Sequence, residues 1–256
     1  MSEAASPRCL EAARRAVADV LAGGPVHHVF QPILALETGE FVGFEALARF
    51  GADLSPQLVW EAAEILGVTA TLDHLSVQAA LAAAASLPGV LFVNLAAASL
   101  AEDAATAAAL VQAAQRFREP GTVVVEVTEG ALRDVAGARR TLSALKAAGL
   151  RIALDDAGAG FSTVERLSWL APAFVKIDRP VMEAWLRGEP SGFLAWLAWA
   201  HLAGARVIAE GVERSDDLEA LQAAGIAYVQ GYAVGRPLPA SAWLDRLGRP
   251  AGRGSR

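Results

Sequence analysis

A series of acids and amides, with one lysine among them, falls at one kind of place in this chain. Glu45, Asn94, Glu126, Asp155 with Asp156, Lys176, Glu210 and Gln230 each lie at or near the C-terminal end of a short β-branched or aromatic run. Several carboxylates gathered on one rim repel one another and would be partly protonated on their own. A divalent cation removes that conflict. All-oxygen ligands, with no cysteine and no suitably placed histidine, favour Mg²⁺ or Mn²⁺ over Zn²⁺. Adjacent Asp155 and Asp156 can serve two ions, with one carboxylate bridging. Two ions about 3.5–4 Å apart can clamp a phosphoryl group for in-line attack by a bound water. Lys176 adds a cation for the phosphate or the attacking hydroxide. Even spacing on a strand places Glu45, Leu47 and Arg49 on one face, and an arginine beside a metal-binding acid suits a phosphate oxygen. A structural Glu45–Arg49 ion pair fits that spacing as well. Taken singly, an acid that ends a strand is more often a solvated or helix-capping residue. The series makes a site only if the strands converge.

The elements that must bring them together are legible as an alternation of apolar runs and Ala/Leu-rich stretches. Strand candidates are 27–34, 41–50, 89–96, 122–129, 150–156, 174–178, 206–212 and 228–234. Helices are expected over 103–118, 131–148, 163–170, 180–203 and 215–224. Runs such as VVVEV and LRIAL are apolar on both faces, which suits a parallel sheet covered by helices. Repeated βα units over this length predict an α/β fold, a (β/α)₈ TIM-like barrel, whose catalytic groups gather at the C-terminal ends of its strands. Only ALETGE separates the first two strands. That is too short for a helical crossover, so the barrel should begin with an irregular, antiparallel pair. Residues 3–22 read as an amphipathic helix with Leu10, Val17 and Leu21 near one face, stopped by Gly23-Gly24-Pro25. The expected organisation is an N-terminal helix or linker over 1–24, the barrel over 25–247 and a disordered tail over 248–256.

Composition narrows the partners. The chain of 256 residues carries a net charge of −6 and no Lys/Arg run, against a binder of DNA or RNA duplexes or of anionic membranes. Its longest uncharged apolar run, Phe193 to Ala205, is too short to span a bilayer, which takes about 20 residues. Charged residues from Glu3 to Asp19 interrupt any apolar core of a signal peptide. With Cys9 as the lone cysteine, the expectation is a cytoplasmic protein in a reducing compartment.

The run FQPILALETGEFVGFEALARF, with Glu45-Ala46-Leu47, resembles the opening of the EAL-domain cyclic di-GMP phosphodiesterases of bacterial signalling. The resemblance continues through FVNLA, VEVTE, LDDAGAGFST, VKIDR, IAEGVE and VQGYAVGRPLP, in the family's order, over about residues 25 to 245. It implies that Glu45, Asn94, Glu126 and Asp155 are metal ligands, with Asp155 bridging two ions and Asp156 serving the second. It implies that Lys176 lies near the attacking water, that Glu210 holds the metal–water cluster or acts as base, and that Glu129 steadies the loop after its strand. Gln31 and Arg49 match substrate-contacting positions, and Gln230 and Glu213 match residues around the site. The implied reaction is hydrolysis of cyclic di-GMP to linear pGpG by two-metal activated water, in a homodimer. The chain departs from the family at Ala157 and Phe161, in a loop that couples metal binding to dimerisation, at Ala96, and in a short segment after Arg49. None of these removes a metal ligand.

Two alternatives stand beside this reading. One is a catalytically silent receptor or protein-interaction module of the same type. The other is an enolase-type barrel, which also holds Mg²⁺ on strand-end acids but needs a capping domain for which the chain has no spare residues. Trp185, Trp196 and Trp199 are read as barrel-wall packing rather than a partner groove. His27 and His28 point to opposite faces of a strand and so make no ligand pair. Gly158 and Gly160 lack the register of a dinucleotide-binding loop.

Overall fold

Alternation along the strands decides what enters the barrel. In the computed structural model the described residues are 7–51, 54–101, 104–117, 119–128, 135–157 and 169–248. The strands are β1 (His27–Ala35), β2 (Phe41–Arg49), β3 (Val90–Asn94), β4 (Val123–Thr128), β5 (Arg151–Ala157), β6 (Phe174–Ile177), β7 (Arg206–Ala209) and β8 (Tyr228–Gln230). They close into one barrel in sequence order. The expected antiparallel start is present: β1 runs antiparallel to β2, and it is antiparallel to β8 as well, while the pairs from β2 to β8 are parallel.

Ile33, Phe92, Val124, Ala153, Phe174 and Ile208 form a buried apolar cluster from six strands. Two residues from each, on the same face of its strand, stand Gln31, Asn94, Glu126, Asp155, Lys176 and Glu210. An apolar floor and a polar layer above it are thus written into the same strands. The odd-numbered valines of β4, Val123, Val125 and Val127, face the other way into the main core beneath the helices.

The helical layer departs from expectation in two places. One helix was expected over 180–203. Two are present, α7 (Arg179–Leu186) and α8 (Ser191–Ala203), because Gly188 adopts φ 91° and Pro190 follows it. Between β2 and β3, α2 (Pro56–Leu66) and α3 (Thr69–Ala83) had not been anticipated. The N-terminal helix α1 (Pro7–Leu21) buries Ala13, Val17 and Val20 against Val59, Ala62 and Leu72. Leu21, expected on that face, is exposed. The remaining helices are α4 (Ala97–Ala101), α5 (Ala104–Phe117), α6 (Val135–Ala147), α9 (Asp217–Ala223) and α10 (Ala240–Leu247). Trp199 is buried and edge-on to Trp196, and Trp185 stacks on Phe193, in keeping with wall packing. Among the described residues no helix is long and apolar enough to cross a membrane. Of the helix expected over 163–170, residues 163–168 lie outside the described residues, as do the loop from 158 to 161 and the tail beyond Gly248, and residues 169–170 form a turn.

Candidate functional site

Lys176, two residues beyond Phe174 of the apolar floor, comes up in the middle of the acids. Its Nζ lies 2.7 Å from Glu210 Oε1, 2.8 Å from Glu126 Oε1, 3.1 Å from Asp155 Oδ1 and 3.3 Å from Glu45 Oε2. The lysine side chain is only 1% exposed. An ammonium has three N–H bonds, so four carboxylates cannot all be served. Glu126 Oε2 is buried and meets no donor, and the contacts from Lys176 to Glu126 Oε1 and Asp155 Oδ1 are ion pairs without hydrogen-bond geometry. Glu45 is better supplied. Asn94 Nδ2 donates to its Oε1 at 3.0 Å, and Gln230 Nε2 donates to its Oε2. Gln230 Nε2 also reaches Gln31 Oε1 at 3.3 Å, and Gln31 Nε2 lies 3.4 Å from the Gly235 carbonyl.

The protonation equilibria follow this arrangement. Burial alone would lower Lys176, but Asp155, Glu126, Glu210 and Glu45 together hold it well above its ordinary value. Burial would raise Glu45, and the Lys176 charge with the bonds from Gln230 and Asn94 outweighs it, so Glu45 lies below the usual carboxylate range. Burial, then the charge on Glu45, pushes Glu126 well up. Burial likewise raises Glu210 to about 8, against the pull of Lys176. The site is thus over-supplied with negative charge for one cation, and its donors are all oxygens. That donor set, with a buried carboxylate oxygen lacking a partner, fits a hard divalent cation.

Asp155 and Asp156 should point to opposite faces of a regular strand. The β5–β6 register shifts between Leu154 and Ala157, and Asp156 adopts φ 53°. This left-handed bulge lets both acids serve one rim: carboxylate oxygens of Asp155, Asp156 and Glu210 lie within 4.8 Å of one another. Burial and the neighbouring Asp155 lift Asp156 to about 6.

Two cavities open beside this cluster. One of about 330 Å³ is lined by Gln31, Glu45, Asp178, Arg179, Glu210, Glu213, Gln230 and Tyr232. The other, about 440 Å³, lies against α2 and α3 and includes Leu47, Arg49, Trp60, Asn94, Thr128 and Asp156. Every expected site residue within the described set therefore falls in the ion cluster or on a cavity wall, and Glu129 lies outside that set. Arg49 does not pair with Glu45; its Nη1 donates to the Ala48 carbonyl at 2.8 Å. Glu213 is held by Arg179. Sequence reasoning missed Asp178, Arg179 and Tyr232. Asp178 follows β6 directly and obeys the same strand-end rule that found the others.

Comparison with known proteins places this geometry. An uncharacterized protein of Azorhizobium caulinodans is 31% identical over 82% of this chain. The cyclic di-GMP phosphodiesterase RocR of Pseudomonas aeruginosa is 28% identical over 93% of it. The chain spans 31% of the first protein's length and 65% of the second's. Among solved structures, the PaMucR phosphodiesterase in complex with c-di-GMP superposes with a TM-score of 0.80 at 26% identity, covering 90% of this chain and 99% of that one. The manganese/cy-diGMP complex of Klebsiella pneumoniae BlrP1 does so with a TM-score of 0.76 at 29% identity, covering 85% and 57%. The pattern of the EAL domain itself runs from residue 11 to 237, across α1, the barrel and the whole acid cluster, and the chain belongs to the EAL domain family.

Proposed function

We propose that this chain is a metal-dependent phosphodiesterase that hydrolyses one phosphodiester of cyclic di-GMP to linear pGpG. The observation that carries the reading is the convergence of Glu45, Glu126, Asp155 and Glu210 on Lys176, with Asn94 and Asp156 beside them. The named activity of RocR and the nucleotide in the PaMucR complex support the choice of substrate. Glu45, Asn94, Glu126, Asp155 and Asp156 would hold two Mg²⁺ or Mn²⁺ ions. Such ions supply Lewis acidity at the phosphoryl oxygens and a nucleophilic water at neutral pH.

The protein's own groups do the rest. Gln230 and Asn94 fix the Glu45 carboxylate from two sides. Glu210, whose proton affinity burial raises, can take a proton from the attacking water. Lys176 lies between Glu210 and Asp155, where its ammonium can orient that water or neutralise a phosphate oxygen. The water oxygen forms the new bond to phosphorus, and the bond to the ribose 3′ oxygen breaks as that oxygen takes up a proton. Arg49, on the wall of the larger cavity, offers a guanidinium to the phosphate not being cleaved.

The test is turnover of cyclic di-GMP by the purified chain with Mg²⁺, with Mn²⁺ and with EDTA, products separated by chromatography. Metal-dependent pGpG is expected, and Glu45→Ala should abolish it while leaving circular dichroism unchanged. Product formed in EDTA, or by Glu45→Ala, would overturn the metal assignment. Binding without product would make the chain a receptor.

A further inference from the structure

One large aromatic side chain beside the acid cluster is left open. Tyr232 is 50% exposed and lines the 330 Å³ cavity together with Glu45, Glu210 and Gln230. Ligand clefts are commonly lined by aromatic side chains beside a few polar groups.

The backbone that carries the ring is also held firmly. Gly231, at φ 154°, has the Val212 backbone pressed against it; a Cβ there would come within 2.2 Å of the Val212 carbonyl oxygen. The turn that follows is tied by Val234 N–H and Gly235 N–H to the Gly231 carbonyl, at 3.1 and 3.0 Å, and by Ala233 N–H to the Val212 carbonyl at 3.0 Å. The Arg236 guanidinium lies over the tyrosine ring, 4.2 Å from its centroid. Arg236 is not among the residues that line the cavity. A tyrosine with a braced ring loses little freedom when something stacks on it.

We propose that Tyr232, backed by Arg236, is a stacking shelf for one purine base of the cyclic dinucleotide. The inference rests on the substrate class proposed above. The shelf is close to the chemistry: Gln230, which holds Glu45, is two residues away, and two residues of chain reach at most about 7 Å. That is the scale on which a nucleotide's base stands from its phosphate. Purines stack on aromatic side chains, and losing one such platform typically weakens binding by about tenfold or more. A cation behind the ring strengthens its hold on an electron-rich base.

The experiment compares Tyr232→Ala, Tyr232→Leu and Tyr232→Phe with the wild type for kcat and KM on cyclic di-GMP in Mn²⁺. Titration calorimetry gives Kd for cyclic di-GMP and, separately, for Mn²⁺. We expect KM and Kd for the nucleotide to rise about tenfold in Tyr232→Ala and Tyr232→Leu, with Tyr232→Phe within twofold of wild type. Affinity for Mn²⁺ should not move. Nucleotide affinity within twofold of wild type in Tyr232→Ala would overturn the shelf while leaving the phosphodiesterase reading intact. Parallel loss of Mn²⁺ and nucleotide affinity would also overturn it, by showing that the ring merely supports the metal cluster. A wild type that neither binds nor turns over cyclic di-GMP would overturn the functional reading itself, and the shelf with it.

Discussion

Lys176 is the residue on which the cluster's electrostatics turn. Four carboxylates lie within 3.3 Å of its ammonium, and removing one partner of a buried ion pair typically costs about 3–5 kcal/mol. Lys176→Ala should therefore lower the thermal midpoint of the metal-free protein markedly, and Mn²⁺ should restore much of the loss. Its turnover should fall by about 100-fold or more while nucleotide affinity falls only modestly. Thermal melts with and without Mn²⁺, beside kcat and Kd, check this; equal loss of rate and affinity would make Lys176 a binding residue only. Strand alternation made this cluster legible in the sequence, because residues two apart share a face and each polar member follows an apolar one. Tyr232 was not legible in the same way. Its exposure depends on a turn packed against Val212, some 20 positions earlier in the chain, and no local pattern announces that contact.

At the level of elements, the bulge in β5 brings two adjacent aspartates to one rim. Asp156 sits at φ 53°, where an L-residue with a Cβ costs about 1–2 kcal/mol and glycine does not. Asp156→Gly and Asp156→Ala both lose the carboxylate, so their difference isolates the backbone. Asp156→Gly should be the more stable by about 1 kcal/mol in urea unfolding without metal, and both should lose most turnover. Equal stabilities would remove the bulge from the account. The sequence showed the adjacent acids but not the kink that makes both useful. The helices were less evenly legible. The buried face of α3 includes Thr69, Asp73 and Ser76, which interrupts the apolar period a helix is recognised by. Asp73 is buried there because it accepts from Trp60 Nε1, Ala96 N–H and Ser99 Oγ, a demand set by three other segments. In α8 the apolar residues run round the helix, so periodicity gave no boundary, although Gly188 and Pro190 marked one.

The whole molecule carries an acid core whose cost depends on pH. Glu210 has its folded-state proton affinity raised from the ordinary 4.5 to about 8, and Glu126 is raised as well. A raised carboxylate means that the folded state binds more protons than the unfolded one, so stability falls as pH rises. The metal-free protein should lose thermal stability from about pH 5 to about pH 8, and Mn²⁺ should add more at pH 8 than at pH 5.5, since only ionised carboxylates bind it. Melts at both pH values with EDTA and with Mn²⁺ check the sign; a flat profile in EDTA would show the acids to be compensated elsewhere. The barrel's closure has a consequence during synthesis. β1 meets β2 across a short turn, but its other edge waits for β8, where Ile33 pairs with Gln230. A ribosome must deliver the chain as far as Gln230 before that seam can form, and until then β1 offers an open strand edge for a chaperone or a wrong neighbour to take. Gln230 both closes the seam and steadies Glu45, so the acid ring cannot take its final form before the last strand has emerged.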